Sequence, residues 1–225
     1  MLKKTIDGGL FIVIEGGDGA GKTTAANGLC NRLNNLGYDA MYTREPGGIK
    51  AAEDIRNILK TYELNDNART LLFAASRALN VSQIIKPNLE KGKIVICDRY
   101  IRSTYIYQGF SEWLPDESDD EHYQRQLDFE FIQNYCTGGL KPDVEYILTL
   151  PAEAAWERVV GGRGQTPDVL EGDFENFVRV NTAYTRILFN LGYINNTEYI
   201  NANKPADDVV QSILNNLRTR GYIDE

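Results

Sequence analysis

Leu10-Phe11-Ile12-Val13-Ile14-Glu15-Gly16-Gly17-Asp18-Gly19-Ala20-Gly21-Lys22-Thr23-Thr24 decides the fold. Residues 10–14 are continuously apolar, the pattern of a strand buried on both faces, as in a parallel sheet. Gly16 and Gly17 break the run, and a helix is predicted over 22–36 with Gly37 as its C-terminal cap. Strand, turn and helix thus frame a G-x-x-x-x-G-K-[ST] motif, the context in which it cradles phosphate. The glycines let successive backbone N–H groups curl around phosphate oxygens, and the helix N-terminus adds partial positive charge. In such a loop Lys22 reaches the β and γ phosphates of a nucleotide and the Thr23 hydroxyl can ligate Mg²⁺. The stretch establishes phosphate binding; it does not name the reaction.

Outward from this core, apolar runs alternate with helical patterns. Strands are predicted over 38–42, 94–97, 144–150 and 198–200, and helices over 53–59, 67–90, 123–135, 152–160, 174–191 and 205–220. That alternation argues for an α/β fold of the P-loop NTPase type: a five-stranded parallel sheet with helices on both faces, residues 1–225 forming one domain. The acidic stretch 116–121 reads as a solvated loop opening a helix. The glycine-rich, polar stretch 161–172 reads as a loop between two helices.

Composition narrows the function. The 225 residues are 42% hydrophobic and 25% charged, ordinary for a globular chain. With 24 basic and 32 acidic residues the net charge is −8, which opposes general binding to nucleic acid or an anionic membrane. No apolar run approaches the roughly 20 residues that span a bilayer, and residues 1–7 do not read as a signal peptide. Three scattered cysteines (Cys30, Cys97, Cys136) offer neither a disulfide framework nor CxxC metal spacing, which places the protein in a reducing cytoplasm. His122 is the sole histidine, so a mechanism resting on several is excluded.

Ligands of open α/β sheets bind outside the carboxyl ends of the strands. The phosphate loop follows the first strand, Arg44-Glu45-Pro46-Gly47-Gly48 the second, and Asp98-Arg99-Tyr100 the third. Arginine forks suit a second phosphate group, hence an acceptor already phosphorylated. Each arginine alone could instead make a surface ion pair. Asp98 reads either as a carboxylate that holds metal-bound water or as a helix N-cap.

The chain resembles thymidylate kinase from about residue 10 to about residue 215. The resemblance is carried by the phosphate loop, by 43–48 (Thr-Arg-Glu-Pro-Gly-Gly) and by Leu71-Leu72-Phe73 with Arg77. Asp98-Arg99-Tyr100, Pro142-Asp143-Val144 and Asp168-x-x-Glu171 complete it. It implies transfer of a phosphoryl group from Mg·ATP to dTMP, in a homodimer. It implies that Gly16, Gly17, Asp18, Gly19, Ala20, Gly21, Lys22, Thr23 and Thr24 hold ATP, with Thr23 and Asp98 at the metal. Arg44 and Arg99 would hold the dTMP phosphate, with Asp18 close to acceptor and metal. Phe73 would stack on thymine, Arg77 bond its edge, and Ser103, Thr104 and Gln108 surround the base. Tyr107 would crowd the sugar 2′ position. By itself Phe73 also fits helix core, Arg77 a solvated charge, and either Tyr105 or Tyr107 mere packing.

The family's lid corresponds to 161–172. Because positions 17–20 carry no basic residue, the resemblance makes Arg163 the lid arginine that acts with Lys22, Asp18 and Arg99 in catalysis, and Arg158 its reserve. The stretch Asp168-Val169-Leu170-Glu171 departs from the Asp-Arg-x-Glu of many lids. Residues 201–205 either contact adenine through the backbone or simply lead into the last helix. A GTPase would need Asn-Lys-x-Asp, but after Asn203-Lys204 the acid, Asp207, comes one position late. A deoxynucleoside kinase and a catalytically weak nucleotide-binding regulator remain as rivals. The first would need a base for its hydroxyl acceptor, and neither needs two arginines at the acceptor edge.

Overall fold

Strand β1 (Leu10–Gly16) is buried along its whole length, and its alternating side chains feed two different cores. Leu10, Ile12 and Ile14 pack with Leu29 and Leu33 of α1 (Lys22–Asn35) and with Ile213 and Leu217 of α9 (Ala206–Thr219). Phe11 and Val13 point the other way, into a cluster with Val81, Ile85 and Phe129. The period of two in a strand therefore explains why the run is apolar throughout: helices cover both faces. The structure, a computed structural model, describes residues 3–109, 119–163, 174–186 and 196–224.

Four more strands join β1: β2 (Ala40–Arg44), β3 (Ile94–Asp98), β4 (Val144–Thr149) and β5 (Thr197–Asn201). All pair in parallel in the order β2-β3-β1-β4-β5, the five-stranded sheet expected. The register aligns Arg44, Asp98 and Ile14 across three neighbouring strands. Strand ends, and the loops that leave them, thus arrive at one edge. Around the sheet lie α2 (Lys50–Thr61), α3 (Asp66–Asn80), α4 (Lys86–Leu89), α5 (Ile101–Thr104), α6 (Asp119–Thr137), α7 (Ala152–Arg163) and α8 (Phe174–Arg186).

Several boundaries correct the sequence reading. Helix α1 closes with a Schellman cap: Gly37 at φ 91° donates to Asn34 and Tyr38 to Leu33. Tyr38 is spent on this cap, so β2 starts at Ala40 and runs on to Arg44, which becomes a strand residue. The single helix predicted over 67–90 divides into α3, a π-helical turn Val81–Ile85, and α4. Pro87 has no N–H to give Gln83 and its ring crowds that carbonyl, which accounts for the changed turn. Asp119, Asp120 and Glu121 fall within α6 rather than in a loop. The rest of the acidic stretch and positions 164–172 of the lid lie outside the described residues, as does the end of the helix predicted to 191.

Candidate active site

A cleft of about 830 Å³ opens at the carboxyl edge of the sheet, over β1, β2 and β3. The phosphate loop forms its floor. Gly19 sits at φ 78°, and a Cβ there would come within 2.3 Å of the Ala155 carbonyl oxygen, so the loop can follow this path only with glycine. Asp18, Gly19, Gly21, Lys22, Thr23 and Thr24 line the cleft, and Gly16, Gly17 and Ala20 are not among its lining residues. Lys22 is 7% exposed and folds back, Nζ donating to the Gly17 carbonyl at 2.7 Å. Burial pushes its ammonium below the ordinary lysine range, and the Arg99 guanidinium pushes the same way.

Asp98 ends β3 facing the loop. Its Oδ2 accepts the Thr23 hydroxyl at 2.5 Å, while Oδ1 is buried with no partner among the described residues. An orphaned carboxylate oxygen beside a hydroxyl fits a cation or its bound water. Among the described residues no cluster of three His, Cys, Asp or Glu could cage a metal alone, so any ion there would need ligands from the nucleotide or water.

Arg99 follows at φ 70°, an uncommon conformation for a residue with a side chain. It aims the guanidinium across the loop. Nη2 pairs with the Asp18 carboxylate, and Nη1 donates to Ser103 Oγ and to Tyr184 Oη, each at 3.2 Å. Burial opposes its charge, but Asp18, together with Tyr107, Tyr184 and Asp98, outweighs it and holds Arg99 protonated. Tyr107 Oη donates to the other Asp18 oxygen at 3.0 Å, and Lys22 Nζ stands 3.5 Å from Asp18 Oδ1. One carboxylate therefore touches the loop lysine, the third-strand arginine and a tyrosine from the turn after α5.

The second strand contributes differently from expectation. Arg44 Nη2 bonds both carboxylate oxygens of Glu53 on α2, at 2.9 and 3.0 Å, in a pair open enough to exchange with a ligand. Arg77 is not a solvated charge. It is 2% exposed and donates to Glu45 Oε2 (2.6 Å), Thr104 Oγ1 (3.0 Å), the Tyr100 carbonyl (2.7 Å) and Gln133 Oε1. These four bonds occupy four of its five N–H groups, and the guanidinium lines the cleft. Phe73, one turn earlier on α3, is half-buried, lines the cleft and belongs to none of the described apolar clusters. Ser103, Thr104, Tyr107 and Gln108 line the same wall, and Gln108 Nε2 is buried without a partner among the described residues.

Arg158, the reserve, lines the cleft from α7 and donates to the Ala202 carbonyl at 3.2 Å. Ala202 N–H is also taken, by Thr149. Arg163 ends α7, but its side chain lies outside the described residues, as do Asp168 and Glu171.

Four residues escaped the sequence reading. Glu15, fully buried, accepts from Tyr100 N, Ser103 N, Ser103 Oγ and Tyr184 Oη. Glu45 and Arg77 form a buried ion pair; burial raises the Glu45 carboxyl above its ordinary range while Arg77 pulls the other way. Arg56 of α2 lines the cleft, bonds the Pro46 carbonyl and has its pKa lowered by burial and by Arg44. Two of the four carried a signal: a charged residue closing an apolar strand (Glu15) and one inside the Arg-Glu-Pro motif (Glu45). Arg56 and Tyr184 lie in ordinary amphipathic helices and carried none.

Comparison with known proteins agrees with this geometry. A family model described as "Thymidylate kinase" matches residues 14–213. The thymidylate kinase of Acholeplasma laidlawii (strain PG-8A) is 36% identical over 219 residues, covering 94% of this chain and 100% of that protein. The thymidylate kinase of Limosilactobacillus fermentum (strain NBRC 3956 / LMG 18251) is 39% identical over 184 residues, covering 78% of this chain and 80% of that one.

Proposed function

The chain belongs to the thymidylate kinase family and is an enzyme that phosphorylates dTMP in nucleotide biosynthesis; from that premise we propose which of its residues carry the reaction. ATP is the donor, its phosphates wrapped by Gly16, Gly17, Asp18, Gly19, Ala20, Gly21, Lys22, Thr23 and Thr24. Arg44, Arg56 and Arg99 receive the dTMP phosphate. Phe73 stacks on thymine, the remaining Arg77 N–H and the Gln108 amide reach its polar edge, and Ser103 and Thr104 back the base and phosphate.

The observation that carries this reading is Asp18, bonded to Arg99 and Tyr107 and close to Lys22. It marks where donor and acceptor phosphates meet, with cations on both sides. The acceptor oxygen is already anionic, so the protein need not remove a proton. Lys22 and Arg99 hold the two phosphates in line and neutralise charge that builds between them. Arg163, at the end of α7, adds charge to the transferred group, an arrangement worth roughly 10³–10⁵ in rate where an arginine supplies it. Thr23 and Asp98 would hold Mg²⁺, which would supply positive charge against the donor phosphates.

The partner is a second copy. Leu127, Phe131 and Tyr135 recur every four residues on α6, the latter two 70% and 83% exposed, and Leu71 on neighbouring α3 is 58% exposed. A self-complementary apolar face of this kind suits a twofold dimer; Phe131→Glu should convert it to monomer in sedimentation. No described helix is long and apolar enough to cross a membrane, and we place the enzyme in the cytoplasm. The decisive assay incubates the protein with Mg·ATP and dTMP, thymidine or no acceptor, and follows ADP. Product with dTMP alone supports the reading; product with thymidine points to a nucleoside kinase, and none with any acceptor to a regulator.

A further inference from the structure

We propose that Tyr184 is a positioning residue for the acceptor phosphate: its hydroxyl sets the direction of Arg99 from a helix remote in sequence. The inference rests on the reading that Arg99 holds the dTMP phosphate. Tyr184 lies on α8, 1% exposed, its ring packed with Ile106, Ile147, Val180 and Ala183 and edge-on to Tyr107 at 6.5 Å between centroids. That packing alone would be satisfied by phenylalanine. The hydroxyl does more: it lies 3.0 Å from Ser103 Oγ and 3.3 Å from Glu15 Oε2, and accepts from Arg99 Nη1 at 3.2 Å.

The order of donors follows from charge. Glu15 is a buried acceptor that already takes two backbone N–H groups, from Tyr100 and Ser103, at the start of α5. Both hydroxyls can give it their protons, Ser103 at 2.8 Å and Tyr184 at 3.3 Å. Each hydroxyl then turns a lone pair toward Arg99 Nη1. Burial, and after it the Glu15 charge, raises the Tyr184 phenol well above its ordinary range, so it stays a protonated donor. Glu15, Ser103 and Tyr184 thereby form a frame that grips one nitrogen of Arg99. The other, Nη2, pairs with the Asp18 carboxylate through one N–H, which leaves its second N–H for the ligand. The αL backbone of Arg99 throws the side chain across the loop, and this frame decides where it ends.

Tyr184→Phe keeps the ring and removes only the oxygen. The Kd of dTMP should rise roughly 10- to 150-fold, the range of a lost hydrogen bond to a charged group. The Kd of thymidine, which lacks the phosphate, should stay within about twofold, as should the KM for ATP. Because Ser103 shares the frame, Ser103→Ala with Tyr184→Phe should cost less than the product of the single effects. A role in packing alone would weaken dTMP and thymidine equally, or lower Tm without touching either; both results overturn the proposal. Wild-type protein run alongside separates the premises. If it fails to phosphorylate dTMP, the assignment of Arg99 falls first; if it is active and Tyr184→Phe binds dTMP normally, only the frame falls.

Discussion

Thr23 and Asp98 meet across the floor of the cleft, hydroxyl to carboxylate at 2.5 Å, and the meeting leaves Asp98 Oδ1 buried with nothing to bind. A carboxylate oxygen shut away from water costs free energy unless a partner arrives. Asp98→Asn removes the charge while keeping the shape and the bond to Thr23. Turnover with Mg·ATP should fall about 10- to 100-fold, the cost typical of losing a group that orients a metal's ligands. The Kd of dTMP measured without metal should change little. Full activity in this variant would show that the oxygen serves only the fold.

The two halves of the site were not equally legible in the sequence. The donor half is local: strand, glycines, lysine and threonine are contiguous, so spacing alone predicts a phosphate cradle from Gly19 to Thr23. The acceptor half is assembled from four separated segments. Sequence order brought Arg44 and Arg99 to the right edge, because strand ends in a parallel sheet share one side. It could not show that Arg44 is tied to Glu53, or that Arg77 is buried against Glu45, since those pairings depend on how α2 and α3 pack. Tyr184 was least legible. Its helix pattern is that of any core-facing helix, and its polar tip finds Glu15 only after residues 169 positions apart are folded together.

Phe73 offers a test of base stacking. It lies on the cleft wall outside the apolar clusters, so its removal should affect ligand far more than fold. Phe73→Ala should weaken dTMP by about 1–3 kcal/mol, the worth of one stacked base, with Tm nearly unchanged. Calorimetric titration and a thermal melt read the two quantities. A large fall in Tm with dTMP affinity intact would assign Phe73 to structure.

Tyr107 should govern the sugar through its ring and Asp18 through its hydroxyl. Tyr107→Ala should narrow the preference for dTMP over its ribo-counterpart by about one to two orders of magnitude. Tyr107→Phe should keep that preference while releasing Asp18, and so alter turnover instead. Competition kinetics with both nucleotides distinguish the outcomes. A preference unmoved in Tyr107→Ala would mean that another group guards the 2′ position.

Glu45 and Arg77 bind one another at the buried back of the cleft, each no more than 4% exposed at the side chain. Removing one partner strands a buried charge. Glu45→Ala should therefore destabilise the fold by about 3–5 kcal/mol in a denaturant titration. Replacing both residues with methionine should restore part of the loss, since no charge is then left uncompensated, yet dTMP affinity should not return. A loss below about 1 kcal/mol for Glu45→Ala would mean that Thr104, Gln133 and the Tyr100 carbonyl hold Arg77 unaided.

Lys22 gives a pH dependence whose sign follows from its burial. In the free protein its pKa is lowered by burial first and Arg99 second, so it loses its proton at a lower pH than a free lysine. Nucleotide phosphates favour the ammonium and draw the value back up on binding. ATP affinity should be flat while free Lys22 is protonated, then fall as pH rises through its lowered pKa, by at most about tenfold per pH unit for one proton. Fold stability should respond in the opposite sense. Between the lowered folded value and the ordinary unfolded one, the unfolded chain holds more protons, so the Lys22 contribution makes the empty protein more stable as pH rises. Titration calorimetry across the alkaline range checks the first effect. Lys22→Met should bind ATP weakly and without this slope, because the burial that lowers the lysine pKa has no proton to act on in methionine. If the slope persists in that variant, the titrating group lies elsewhere in the cleft.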